Sequence, residues 1–180
     1  MTDPGQASPI PLKDITPTIS GGFMNTFNYK FIDLSFNLSY SFGGYSYDNA
    51  SYILQDDGYS VISNKSTEQR RRWQKPGDIT DVPRFVYGNK KGGNYNSSRA
   101  IHSTDHIRLK SLILGLNAPK AWLQKLGIGN ARIYFSGTNL LTWAAYDQYD
   151  PEMSGVVGFY TPPLKTYAFG LELKFNHQLH

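Results

Sequence analysis

Three carboxylates close together form the chain's candidate metal site: Asp147, Asp150 and Glu152. Calcium prefers clustered oxygen ligands, but the spacing of these residues lacks the EF-hand pattern and its turn glycine. The alternative interpretation is that all three are solvated turn residues. We therefore predict no metal ion. Asp78 and Asp81, in the segment PGDITD, are expected to form turns in the same way.

Histidine and serine residues give no pattern typical of an enzyme. His102 and His106 are four residues apart, but they precede a predicted strand and no H-E-x-x-H zinc motif accompanies them. Ser136 and Ser154 lack the context of a catalytic nucleophile, and no phosphate-binding glycine motif occurs. The chain has no cysteine, which excludes disulfides and thiolate metal sites. We expect neither enzymatic activity nor a cofactor.

Basic and aromatic residues mark a candidate contact surface for a partner. It comprises Tyr59, Arg70, Arg71, Arg72 and Trp73, because Tyr, Trp and Arg favour interfaces. The arginines also suit the phosphates of lipopolysaccharide, and a solvated loop is the alternative. The net charge is +4. Because the basic residues cluster at 70–72 and 90–91 in polar segments and do not line one helix face, we expect no nucleic-acid partner.

Alternating side chains predict that β-strands carry these residues. The segment FIDLSFNLSYSFGG alternates apolar and polar residues without exception, and successive side chains of a strand point to opposite faces. The same pattern predicts an all-β fold of antiparallel strands at about 18–29, 31–42, 107–117, 131–143 and 164–175. A tight turn at Lys30 joins the first two strands, and residues 119–126 are expected to form two helical turns.

The third strand is less regular than the others. Its pattern predicts that Leu112, Leu114 and Leu116 share a face with Arg108 and Lys110. Asn139 interrupts the apolar side of the fourth strand. Residues 43–106 and 144–163 are predicted to be long loops, with a brief strand-like run at 59–62.

The apolar faces of these strands suit either lipid or a protein core. Mean hydropathy is −0.44, and no apolar run approaches the roughly 18 residues of a membrane helix. Short turns alternate with long loops, as in outer-membrane barrels, whose tilted strands need about 9–11 residues. A soluble β-sandwich, such as a glycan-binding module, shows the same alternation of side chains. The pattern leaves both possibilities open.

The barrel hypothesis assigns one face of the strands to lipid. Arg108 and Lys110 would then face lipid near the outer end of their strand, where a cation costs only about 0–1 kcal/mol. The residues assigned to lipid in the second and last strands are Ile32, Leu34, Phe36, Leu38, Tyr40, Phe42, Tyr167, Phe169, Leu171, Leu173 and Phe175.

Several segments, in one order along the chain, carry a family resemblance. They are PTISGGFMNTFNYKFIDLSFNLSYSFGG, RWQKPGDITDVPR, DHIRLKSLILGLNAPKAW, RIYFSGTNLLTW, YDQYDPE and PPLKTYAFGLELKF. Together they resemble the C-terminal end of SusC/RagA-type TonB-dependent outer-membrane transporters of Bacteroidetes. The resemblance implies a barrel of about 22 strands with a plugged lumen. This chain would supply its last five strands, with loops 43–106 and 144–163 outside the cell.

The resemblance also implies a function and partners. Such transporters import glycans or peptides across the outer membrane with energy from TonB, and a SusD-like surface lipoprotein caps them. The implied partners are the remaining barrel and plug, in the same or a separate chain, membrane lipid, this lipoprotein, and TonB through an N-terminal part that is missing here.

Both ends of the chain bear on its assembly. Gly170, Leu173 and Phe175 resemble the signal that the outer-membrane assembly machinery recognises, although NHQLH follows the aromatic residue. The first 17 residues hold four prolines and no apolar run, so we expect no secretory signal there.

Overall fold

A computed structural model of the chain describes residues 12–89, 97–124 and 127–175. Lys90 and Lys91, the NHQLH tail and most of the proline-containing N-terminus lie outside the described residues. The strands are β1 (Ile19–Tyr29), β2 (Ile32–Phe42), β3 (Tyr45–Asp48), β4 (Ile101–Ser103), β5 (His106–Asn117), β6 (Ile128–Ala144), β7 (Gly155–Val157) and β8 (Thr166–Phe175). The helices are α1 (Asn49–Leu54) and α2 (Lys120–Gln124), with 3₁₀ segments at Thr67–Arg71 and Ser98–Ala100.

The chain divides into two compact units, which we call the sheet unit and the loop unit. The sheet unit comprises residues 18–42, 105–145 and 162–180, and the loop unit comprises residues 1–17, 43–104 and 146–161.

The sheet unit is one antiparallel sheet with the strand order β1-β2-β5-β6-β8. This confirms the predicted all-β, antiparallel fold. The fourth strand is longer than the predicted 131–143, because it begins at Ile128, which pairs with Phe175 of β8. The apolar side chains are not sealed as in a β-sandwich: Phe169 is 82% exposed and Leu171 62% exposed.

A two-residue turn of Lys30 and Phe31 joins β1 to β2, since Tyr29 pairs with Ile32. Lys30 has a φ of 53°, in the left-handed region where glycine or asparagine is usual. At the same end of the sheet, α2 connects β5 to β6, and the amide of Ala118 donates to the carbonyl of Ala131 at 2.8 Å. Residues 125–126 of the expected helix lie outside the described residues, and Gly127 follows with a φ of 67°.

The predicted face of Arg108 is wrong, because β5 contains a bulge at Lys110. Asn37 pairs with Ser111, but the next residue, Leu38, pairs with Leu109, so Lys110 is one extra residue in β5. A bulge reverses the alternation beyond it. Leu109 therefore joins the apolar face, and Arg108 lies opposite Ser39 on the polar face.

The loop unit is folded, whereas the sequence predicted long loops. β3 pairs with β4 in antiparallel and with β7 in parallel orientation. The strand-like run at 59–62 is not a strand; these residues form bends, and the amide of Ser60 bonds to Asp56. A side chain that hydrogen-bonds nearby backbone amides competes with strand pairing in this way. In the part of the chain that the structure describes, no helix is long and apolar enough to cross a membrane.

Candidate functional site

One face of the sheet unit is apolar across all five strands. A single row of paired positions crosses the sheet through Phe27, Leu34, Leu114, Phe135 and Phe169. The next row crosses it through Tyr29, Ile32, Leu116, Ile133 and Leu171. The register thus turns separate apolar patterns into one continuous surface.

Aromatic side chains lie at one end of this apolar face. Tyr40 pairs with Ile107, which pairs with Trp143, so Tyr40 and Trp143 are at the same level of the sheet. The rings of Tyr40 and Phe42 stack with centroids 6.0 Å apart. Trp143 is 56% exposed. An apolar band that ends in aromatic residues is typical of a membrane-barrel surface.

The polar face carries an ion cluster that connects four strands. The Arg132 guanidinium donates to both carboxylate oxygens of Asp33, at 3.1 and 2.6 Å, and Asn117 donates to the same carboxylate at 2.8 Å. Arg132 also approaches Glu172 at 3.3 Å. Gly115 makes room for Asp33, because a Cβ there would lie 2.4 Å from its oxygens. The cluster holds the polar face of β2, β5, β6 and β8 in register at this end.

Gly170, one of the residues assigned to an assembly signal, has a packing role in the sheet. It pairs with Tyr134 on the polar face, and the Tyr134 ring covers it. A Cβ at position 170 would lie 2.2 Å from the ring carbon Cζ. The close approach of the ring therefore favours glycine at this position. Leu173 and Phe175 lie on the apolar face, opposite Ala131 and Ile128.

Asp48 organises one part of the loop unit. It is 2% exposed and caps α1, accepting from the Ser51 amide at 2.9 Å and from the Ser51 hydroxyl at 2.6 Å. The Tyr146 hydroxyl donates to it at 2.8 Å. Tyr149 bonds to Ser46, which lies on the same strand as Asp48. Asp48 was not among the predicted site residues, although an Asp directly before NASY is a recognisable helix-cap signal.

His102 is a structural residue in the described part of the loop unit. Its ring stacks on Tyr146, with centroids 3.8 Å apart and planes 3° from parallel. Burial lowers the pKa of His102 and raises the pKa of Tyr146, since both charged forms lose solvent. The other histidine of the pair, His106, begins β5 of the sheet unit.

A second set of buried polar residues fixes the chain at the DDG segment. Asp56, 3% exposed, forms an ion pair with Lys65 at 2.5 Å and accepts from the Gly58 amide at 2.9 Å. The Gln69 side chain donates to the backbone carbonyl of Asp56 at 2.8 Å. Asn89 donates to Asp57 at 3.1 Å. These bonds explain how a segment with few apolar residues adopts a defined fold.

The partner-binding candidates do not form one exposed group. Tyr59 is 58% exposed, and Arg70 is exposed as well. Arg71 pairs with Glu68 at 2.5 Å and with Asp81 at 2.9 Å. The two remaining candidates, Arg72 and Trp73, are half-buried. The Arg72 side chain donates to the Gln69 carbonyl at 3.0 Å, and the Trp73 backbone amide donates to the Val82 carbonyl at 3.0 Å.

Arg71 also lines a small cleft in the loop unit. The cleft has a volume of about 230 Å³. Its walls include Glu68 and Asp81, the His102–Tyr146 stack, and Arg99, whose pKa is lowered by burial. Because acidic and basic walls balance, the cleft carries no strong net charge.

The candidate metal ligands form turn contacts. Asp150 accepts from the Glu152 amide at 2.9 Å, and Asp147 accepts from the Gln148 side chain at 2.7 Å. Asp78 accepts from the Gln74 and Lys75 amides and closes a turn, as predicted. Among the described residues, no group of three or more acidic, histidine or cysteine side chains is arranged to hold a metal ion.

Comparison with known proteins identifies the family. Two curated proteins of Formosa agariphila match: TonB-dependent receptor P3, 31% identical over 175 residues, and TonB-dependent receptor P26, 33% identical over 141 residues. The RagAB peptide importer in its open-open state matches with 28% identity and a TM-score of 0.76 over 91% of this chain. The chain corresponds to part of a SusC/RagA-type TonB-dependent receptor. No family model matches it.

The matches cover most of this chain but a small share of the relatives. The match to receptor P3 covers 90% of this chain and 17% of that protein. The match to receptor P26 covers 77% of this chain and 14% of that protein. The closed-closed RagAB structure matches with 29% identity and a TM-score of 0.75, over 89% of this chain and 18% of that one. The resemblance drawn from the sequence is confirmed, and the open sheet of this receptor segment matches a section of a barrel.

Proposed function

We propose that the chain forms a section of the wall, with its outer loops, of a SusC-like TonB-dependent importer in the outer membrane of a Gram-negative bacterium. The continuous apolar face of the five-stranded sheet carries this proposal, because a barrel wall exposes such a face to lipid. The similar proteins are TonB-dependent receptors and a peptide importer, which supports import of a peptide or a glycan. The rest of the barrel, a plug, TonB and a SusD-like lipoprotein complete the assembly.

The test compares single-cysteine variants on opposite faces of β2 in the full-length receptor. Phe36→Cys lies on the apolar face, and its neighbour Asn37→Cys is the matched control on the polar face. We expect a water-soluble maleimide to label position 37 in outer membranes, and only a lipid-soluble maleimide to label position 36. Equal labelling of both positions by the water-soluble reagent would contradict the proposal, as would full release of the parent protein by urea washing.

We also propose that the loop unit contacts the lipoprotein partner through its exposed candidates Tyr59, Arg70 and Arg71. Support comes from their exposure and from the residue types that interfaces favour. Tyr59→Ala in the full receptor is expected to reduce co-purification of the lipoprotein. Tyr87→Ala, at a tyrosine of the same unit that is 78% exposed, is the control. Undiminished recovery with Tyr59→Ala would count against this contact.

A further inference from the structure

The end of the sheet that carries the β1–β2 turn and α2 exposes aromatic and basic side chains together. Tyr29 is 69% exposed, Phe31 50% and Trp122 69%. Lys30 and Lys120 are exposed beside them. The Asn117 amide donates to the Phe31 carbonyl at 2.7 Å, which ties the turn to the segment that leads into α2. We call these five exposed residues the turn-end patch.

Lys30 occupies its position at a conformational cost. Its φ of 53° lies in the left-handed region, which is strained for a residue with a Cβ and almost free of strain for glycine. A lysine at such a position therefore indicates a role for its side chain. Its ammonium lies 5.2 Å from the centre of the Tyr29 ring, so the charge and an exposed aromatic are held together.

α2 presents its tryptophan outward. Leu123 is 5% exposed and fixes the helix to the sheet unit, whereas its neighbour Trp122 is 69% exposed. Tryptophan with lysine is typical of the interface between hydrocarbon and headgroups, where the ring lies at the headgroup level and the ammonium reaches the phosphates. The acidic residues of this end, Asp33 and Glu172, lie on the opposite face and are paired with Arg132. The patch is therefore positive.

We propose that the turn-end patch binds the phosphate of an anionic phospholipid in the periplasmic leaflet. The proposal rests on the proposed barrel function and goes beyond it by assigning a lipid site. The choice of leaflet follows from connection length, because the two connections at this end are short and periplasmic turns of such barrels are short. Lys30 and Lys120 contact the phosphate, and Trp122 and Phe31 lie against the upper acyl chains.

The test measures lipid preference of the full-length receptor in nanodiscs. Native mass spectrometry counts phosphatidylglycerol retained from a mixture with phosphatidylcholine. Each lysine near an anionic surface is worth roughly fivefold in affinity, so the Lys30→Gln and Lys120→Gln double variant is expected to lose most of the preference. Lys165→Gln, an exposed lysine of the same unit, is the control and is expected to retain it.

Lys30→Gly separates binding from folding. Glycine removes the left-handed penalty, so the variant is expected to be at least as stable as the parent receptor while losing phosphatidylglycerol. An unchanged preference in the double variant overturns the lipid site, and so does displacement of phosphatidylglycerol from the patch by lipid A. A receptor that remains in washed outer membranes but shows no lipid preference refutes this inference alone, whereas a fully soluble parent refutes the barrel function as well.

Discussion

Gly170→Ala tests whether the glycine of β8 serves packing or assembly. The new Cβ would lie 2.2 Å from Tyr134 Cζ, so the ring must retreat by about 1.2 Å to reach the 3.4 Å of ordinary contact. Such overpacking costs about 1–3 kcal/mol. Replacing glycine within a strand returns about 0.5–1 kcal/mol of conformational entropy. We expect a net loss of about 1 kcal/mol, because the ring tip is the part of Tyr134 most able to move.

The sign of the effect reverses when the ring is removed. In a Tyr134→Ala background, Gly170→Ala is expected to stabilise by about 0.5–1 kcal/mol, since only the entropy term remains. The assay is urea unfolding of the full-length receptor in detergent, with the amount of receptor in outer membranes measured in parallel. A loss of stability of equal size in both backgrounds would refute the packing argument. Reduced membrane levels in both backgrounds, at unchanged stability, would instead assign Gly170 to the assembly signal.

Three further perturbations test the loop unit and the bulge. Asp48→Ala is expected to destabilise the loop unit by about 2–4 kcal/mol, because Ser51 and the Tyr146 hydroxyl lose their buried acceptor. Hydrogen exchange measures the loss, with the exposed Asp147→Ala as the control. Burial lowers the pKa of His102 in the folded state, so the unfolded chain binds more protons as pH falls below about 6.5 and the folded state loses stability there. Limited proteolysis is expected to be faster at pH 5 than at pH 7.5, and His102→Phe is expected to remove this difference. Leu109→Arg is expected to cost up to about 1 kcal/mol in urea unfolding, as for a lipid-facing cation near the outer end of a strand, whereas Arg108→Leu should bring no gain; a gain there would place Arg108 in lipid.

Side-chain alternation is a local property, and it predicted the strands and faces of the sheet unit. The shared face of the apolar residues in β2 and in β8 could be predicted from each strand alone, because side chains alternate between the two faces with a period of two. The extra residue at Lys110 was not predictable, since a bulge is a mismatch between two strands and neither strand shows it alone. The exception noted at Asn139 marks the same region: Lys110 of β5 stands opposite two residues of β6 there, and Asn139 has a φ of 52°.

The loop unit depended on contacts that no local pattern contains. Asp48 and Tyr146 are 98 positions apart, and Ser46 and Tyr149 are 103 apart. Composition and side-chain alternation by themselves predicted an all-β chain whose strands have one apolar face, and six sequence segments indicated its family. Only the tertiary structure decided that Arg108 belongs to the polar face, that residues 43–89 and 97–104 fold, and that Lys30 and Trp122 share one end of the sheet. The reason is physical: burial and pairing between distant residues select one arrangement, whereas local preference allows many.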